Sequence, residues 1–200
     1  DRIRLVRGSG VDLDRFQPAP ALPPGPPLVV LPARMLWDKG IGEFVAAARR
    51  LREAGNTARF VLVGGRDEEN PRGIDAATLL QWQREGTVEW WEHRDDMPAV
   101  FAQATIACLP SYREGLPKAL LEAAACGLPL IASDVPGCRE VVRHGENGLL
   151  VPSHDPQALA GAIGDLLSDP VKRQSFGRAS RVLAEREFAQ QAIVSRILAI

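Results

Sequence analysis

The chain has 200 residues, of which 46% are hydrophobic and 24% charged, the balance of one globular domain with apolar material for a sizeable core. A formal net charge of −1, a pI near 6.4 and the lack of any basic run argue against nucleic acid as a partner. No stretch approaches the roughly 18 uninterrupted apolar residues of a spanning helix, so no membrane-crossing segment is expected.

Arg4-Leu5-Val6 is a short predicted strand; with no initiator Met and no signal-peptide anatomy, the chain reads as entered partway through. A connector rich in proline follows (Pro18, Pro20, Pro23, Pro24, Pro26, Pro27). Residues 28–33 are a continuous apolar run of the buried-strand type. Over 41–54 the apolar residues Phe44, Val45, Ala48 and Leu51 fall at helical spacing, and Gly55-Asn56 ends that helix. A second buried strand, 59–63, closes on Gly64-Gly65; 76–85 suits a helix and 88–91 a strand.

The second half repeats the alternation. Asp96 caps a predicted helix through 104, and 105–109 is a strand ending at Pro110-Ser111. Pro117 opens a helix that runs to Ala125 and stops at Gly127. Residues 128–132 form a strand, 136–143 a short helix and 148–151 the last strand. Asp155-Pro156 starts a helix ending near Ser168; Asp169-Pro170 starts another, expected to run to Ile200. The alternation predicts an α/β fold, a Rossmann-like doubly wound parallel sheet, with ligands at the carboxyl ends of its strands. Cys108, Cys126 and Cys138 have no CxxC spacing, and two of them sit among small or apolar residues. They read as reduced, buried thiols of a cytoplasmic protein. His93, His144 and His154 lack ligand spacing, so no metal site is expected.

Two segments carry chemistry. In Ala33-Arg34-Met35-Leu36-Trp37-Asp38-Lys39-Gly40, two cations flank a turn between a strand and a helix. A planar guanidinium and a compact ammonium together suit a diphosphate, and the same charges suit a solvated loop. In the segment from Pro110 to Glu122, another strand end leads through Gly115 into a helix. There the backbone amides of Leu116 and Lys118 are free donors in a positive dipole field, and Gly115 lets a ligand approach the backbone. Glu114 lies in the loop and Glu122 in the helix, so they do not form a carboxylate pair on one helix face. Glu122 also has Lys118 four residues before it as an alternative, structural partner.

At these segments the chain resembles the C-terminal, donor-binding domain of the retaining GT-B glycosyltransferases of family four. Gly10-Val11-Asp12 to Phe16 is similar to that family's entry segment, and Ala33-Arg34 to Lys39-Gly40 to its "GR…KG" stretch, with Ala33 in place of Gly. Glu114 to Glu122 is similar to its E-x7-E signature, and residues 145–151 to its "G.NGLLV" segment. The four pieces occur in family order over nearly the whole chain.

The resemblance implies that Arg34 and Lys39 hold the donor diphosphate and stabilise the leaving group without a metal or other cofactor. It implies that Glu114 bonds the donor sugar's hydroxyls and Glu122 the ribose, while Gly115, Leu116 and Lys118 approach sugar and phosphates through their backbone. The base belongs near Val88 to Glu92, where Glu92 replaces the usual Gly; Trp91 either stacks on the base or packs in the core. Gly8-Ser9-Gly10-Val11-Asp12 with Arg94-Asp95-Asp96 resembles members that build bacterial surface polysaccharides, lipopolysaccharide included, from UDP-N-acetylhexosamine-type donors. Residues 1–200 would then be the donor half alone. The glycan or lipid-linked acceptor would belong to a missing N-terminal domain, and the isolated half would transfer no sugar. The segment 188–200 resembles the helix that crosses back to that domain, with apolar residues left on the surface. The full-length enzyme is expected in the cytoplasm, with peripheral association at the inner face of the plasma membrane.

A non-catalytic nucleotide-binding or interaction module on the same fold is the alternative, and intact Arg34, Lys39, Glu114 and Glu122 argue against it. A glycan phosphorylase or a sugar-phosphate synthase with a related GT-B half is a third reading, of which the phosphorylase would carry a pyridoxal-binding Lys motif, and a dinucleotide oxidoreductase would need a GxGxxG after its first strand; neither motif is seen.

Overall fold

Short apolar runs become strands here because helices cover both faces of the sheet, so consecutive side chains are buried on opposite sides. The computed structural model describes residues 10–21, 24–191 and 193–194. Its strands are β1 (Leu28–Pro32), β2 (Arg59–Val63), β3 (Glu89–Trp90), β4 (Ile106–Leu109), β5 (Leu130–Ser133) and β6 (Gly148–Val151). They form one parallel sheet in the order β3-β2-β1-β4-β5-β6. The helices are α1 (Ile41–Glu53), α2 (Ala76–Arg84), α3 (Met97–Phe101), α4 (Lys118–Ala125), α5 (Pro136–Arg139), α6 (Pro156–Ser168) and α7 (Pro170–Glu187).

The period of two along β1 divides the core. Val29 and Leu31 pack with Phe44 of α1, Leu79 of α2 and Ile163 of α6. Leu28 and Val30 pack with Phe101 of α3, Leu120 of α4 and Leu183 of α7. The winding reverses between β1 and β4, which are neighbours in the sheet although two strands separate them in sequence. The connections that leave β1 and β4 therefore diverge to opposite faces, and the crevice between them opens at the carboxyl ends of the strands.

The helix starts follow the expected chemistry. Asp96, Asp155 and Asp169 each accept a backbone N–H of the turn they cap, and a proline stands at the start of the helix that follows. Several ends differ from expectation. α3 stops at Phe101 instead of 104, and β3 is limited to two residues, with Glu92 turning to φ 53 just beyond it. α5 stops at Arg139 instead of 143, because the buried Asn147 organises the following turn: its side chain donates to Val141 O and accepts from Arg143 N.

The largest difference is at the end of α7, which does not run on to Ile200. It breaks at Phe188 (φ −123), where the chain pairs with Val11: Val11 N donates to Phe188 O and Gln190 N to Val11 O. Phe188 and Ile193 are buried at 1% and 4% exposure, so the expected apolar surface reduces, among the described residues of that segment, to Val194. The strand expected at 4–6 and residues 195–200 lie outside the described residues.

Candidate functional site at the switch point

The connection after β1 makes a short 3-10 turn, Trp37–Lys39, and ends on Gly40 at φ 71. Only glycine fits there: a Cβ would sit 2.1 Å from the carbonyl oxygen of Pro110, at the end of β4. That close approach brings two loops together that are far apart in sequence. Tyr112 N donates to Asp38 O at 2.9 Å, and Lys39 Nζ donates to Glu114 Oε1 at 2.8 Å. The Lys39 and Glu114 side chains are only 21% and 13% exposed, so this charge-assisted bond is largely sheltered from water.

The Glu114 loop is backed by α5. A Cβ on Gly137 would lie 2.0 Å from the carbonyl oxygen of Gly115, so the first turn of α5 touches the loop backbone directly. Leu116 packs at the edge of the core, and Pro117 precedes α4 as a cap residue with no side-chain hydrogen bond to its first-turn amides. Glu122 is buried at 9% exposure, and its Oε1 lies 3.5 Å from Nζ of Lys118, whose side chain is 74% exposed. Burial raises the Glu122 carboxyl above the ordinary carboxylate range, and the Lys118 and Arg15 charges offset that only in part. Glu114 and Glu122 thus have separate partners, Lys39 and Lys118.

Arg34 is placed differently. Its guanidinium donates to Asp67 Oδ2 at 2.7 Å, with the Arg34 side chain 64% exposed, so its carboxylate partner is Asp67 and not Glu114. Asp67 belongs to the loop after β2, which is laced to the 34–38 segment by Met35 N to Gly65 O, Trp37 N to Arg72 O and Ile74 N to Met35 O. Trp91 is half-buried against the α3–α4 side of the core. Its indole N–H donates to Glu89 Oε2, and the Arg59 guanidinium lies 5.8 Å from its ring centroid.

Sequence reasoning missed Asp67, Gly137 and a trio beside Lys39: Glu43, Tyr112 and His154. The proline before Gly137 and the position of Tyr112 two residues before Glu114 were available as signals; nothing in the sequence singles out Asp67. Among the described residues, the buried side-chain oxygens without a hydrogen-bond partner are Asp38 Oδ1, Glu43 Oε2, Ser111 Oγ and Ser133 Oγ. Asp38 and Ser111 follow β1 and β4 and Ser133 ends β5, on the carboxyl side of the sheet, while Glu43 lies in the first turn of α1; buried polar atoms without a partner call for a reason other than stability. A cavity of about 700 Å³ lies at the opposite, amino end, between Pro18, Phe101, Gly127, Arg173 and Val182.

Among the described residues no group of three or more His, Cys, Asp or Glu side chains is placed to hold a metal ion. The cysteines are free and buried; burial pushes the Cys126 and Cys138 thiols up to about 12 and Cys108 higher still. No described helix is long and apolar enough to cross a membrane.

The family model described as "Glycosyl transferases group 1" matches residues 26–169. The chain is 37% identical over 152 residues to the N,N'-diacetylbacillosaminyl-diphospho-undecaprenol alpha-1,3-N-acetylgalactosaminyltransferase of Campylobacter jejuni, a match covering 76% of this chain and 38% of that protein. It is 28% identical over 160 residues to the capsular polysaccharide biosynthesis glycosyltransferase CapM of Staphylococcus aureus, covering 80% of this chain and 42% of that protein. The sucrose-phosphate synthase structure from Thermosynechococcus elongatus superposes with a TM-score of 0.84 at 30% identity, over 94% of this chain and 49% of that one. The chain thus spans less than half the length of each of these proteins.

Proposed function

The chain belongs to the group 1 glycosyl transferases, and on that premise we propose that it is the donor-binding half of a retaining glycosyltransferase whose acceptor half is a second, N-terminal domain. The observation that carries the reading is the Lys39–Glu114 pair, sheltered at the switch point where a parallel sheet receives its ligand. A nucleoside diphosphate supplies the charge that Lys39 would exchange for Glu114. Released from Lys39, Glu114 is free to bond the hydroxyls of the donor sugar.

Arg34, swung from Asp67, and Lys39 neutralise the diphosphate as the glycosidic bond breaks. Glu122 takes the ribose hydroxyls, and the Gly115-Leu116 backbone and the Lys118 amide lie along sugar and phosphates. No metal is required in this scheme, and no residue is assigned as a covalent nucleophile. The Campylobacter relative is named for an N-acetylgalactosaminyl donor group, an α linkage and a diphospho-undecaprenol acceptor, and CapM for capsular polysaccharide. These names support an N-acetylhexosamine donor and a polysaccharide or lipid-linked acceptor; a UDP-linked donor and an acceptor met in the cytoplasm or at the inner face of the plasma membrane complete the proposal. An α-linked product from an α-linked sugar nucleotide is retention.

The test is to incubate the chain with UDP-N-acetylglucosamine, UDP-N-acetylgalactosamine and UDP-glucose. Donor binding is expected, without transfer to any acceptor, because catalysis needs both substrates held in register. Sugar transfer by this chain alone, or failure to bind every sugar nucleotide tried, overturns the reading.

A further inference from the structure

Lys39 and Glu114 meet across two loops, and a second set of bonds beside them holds those loops together. Tyr112 stands two residues before Glu114, and its hydroxyl donates to Glu43 Oε1 at 2.7 Å. Glu43 stands four residues after Lys39, in the first turn of α1, where the helix dipole favours its carboxylate. On the other side of Lys39, the backbone of Tyr112 is bonded to Asp38. The segment 38–43 is thus tied to Tyr112 on both flanks of the lysine.

A third element closes on the same tyrosine. His154, in the loop after β6, stacks on the Tyr112 ring with centroids 3.6 Å apart, and its Nδ1 lies 3.8 Å from Glu43 Oε1. It holds φ 61, a left-handed conformation that a non-glycine residue adopts at a cost and that persists where surrounding contacts enforce it. Burial and the Glu43 carboxylate raise the Tyr112 hydroxyl above its ordinary range, so it remains a donor at any working pH. Glu43 Oε2 is buried without a partner, so Tyr112 is the bond on which that carboxylate depends. A surface salt bridge would have needed none of this.

We propose that Tyr112, Glu43 and His154 are positioning residues that set the distance between Lys39 and Glu114 and so tune the affinity of the site for a nucleoside diphosphate. The proposal rests on the donor-site reading of Lys39 and Glu114. None of the three residues touches the ligand in this account; they act through the loops.

The experiment is calorimetric titration of UDP into the chain and its variants, with melting temperatures measured alongside. Tyr112→Phe keeps the ring on His154 and loses the hydroxyl. It is expected to weaken UDP binding by about 3- to 10-fold, the net worth of one hydrogen bond. Glu43→Ala should do the same, whereas Glu43→Gln, which keeps an oxygen for the tyrosine to donate to, should stay within about twofold of the parent. His154→Gly removes the stacked ring but suits φ 61, so its melting temperature should not fall while its UDP affinity does. Lys39→Ala separates the two levels of the argument. If it leaves UDP affinity unchanged, the donor-site reading fails. If it weakens UDP while Tyr112→Phe and Glu43→Ala bind like the parent, or if Glu43→Gln is as weak as Glu43→Ala, the positioning role is overturned.

Discussion

Replacing Glu122 by Gln should stabilise the fold at neutral pH and weaken nucleotide binding, a separation that follows from where the carboxylate sits. Glu122 is 9% exposed, and its nearby cation, Lys118, is 3.5 Å away on a side chain that is 74% exposed. An i, i+4 pair with so solvated a partner is worth about 0.3–0.5 kcal/mol. A buried neutral amide without full compensation costs about 1–3 kcal/mol and an ionised carboxylate costs more, so Glu122 and Gln differ by the cost of the charge. The carboxylate therefore destabilises the native state by about 1 kcal/mol, and the isosteric amide should raise Tm by about 2–4 °C for a domain of this size.

The pH dependence has a definite sign. In the unfolded chain the carboxyl titrates at its ordinary value of 4.5, and in the fold burial raises it. Below 4.5 it is protonated in both states and the native state bears no penalty. As pH rises through the raised folded value, ionisation must occur in a buried site and stability is lost. Thermal melts of the parent and Glu122→Gln from pH 8 down to pH 4 should show the gap in Tm closing on acidification. UDP affinity at pH 8 should fall about fivefold, since a hydrogen bond to a neutral acceptor replaces one to a charged acceptor. A lower Tm for Glu122→Gln at pH 8, or a gap that persists under acid, would show that the Glu122 charge does not destabilise the fold.

In the two-domain enzyme proposed above, Glu114→Ala should mainly lower kcat, by roughly 30- to 150-fold for about 2–3 kcal/mol, if Glu114 bonds the sugar whose charge and shape change at the transition state; steady-state kinetics with varied donor test this. Glu122→Ala should mainly raise the donor KM, because the ribose is held alike in ground and transition states, and an equal defect in both variants would contradict that division. Asp67→Ala should tighten UDP binding about 2- to 5-fold in a direct titration, because the exposed ion pair that Arg34 must leave, worth about 0–1 kcal/mol, is removed beforehand.

Much of the architecture was legible because it depends on local pattern. Leu28-Val29-Val30-Leu31 can hardly be anything but a two-face-buried strand, and Asp155-Pro156 and Asp169-Pro170 carry their caps with them. The joining of Lys39 with Glu114 was foreseeable only through the fold, since the sheet order places β1 beside β4. What stayed hidden depends on distant partners. Arg34 is held by an aspartate 33 positions on, in a loop with no sequence signature. α7 has helical residues to its end, yet it breaks because Phe188 and Gln190 pair with Val11 from the opposite end of the chain. α5 is cut short by Asn147, whose amide outcompetes another helical turn. Trp91 suits either a base or a core because it is an aromatic at a strand end, and its bond to Glu89 and the Arg59 guanidinium beside its ring come from partners that the sequence does not pair with it.

On the proposed donor-site reading, the switch-point face recognises a diphosphate through Lys39. Parallel titrations of UDP and uridine into the parent chain and Lys39→Ala measure that recognition. The parent should bind UDP measurably and uridine at least tenfold more weakly, and Lys39→Ala should lose most of that preference, since a charged hydrogen bond contributes about 1.5–3 kcal/mol. Equal affinity for UDP and uridine in the parent, or a UDP preference that survives intact in Lys39→Ala, would contradict the account.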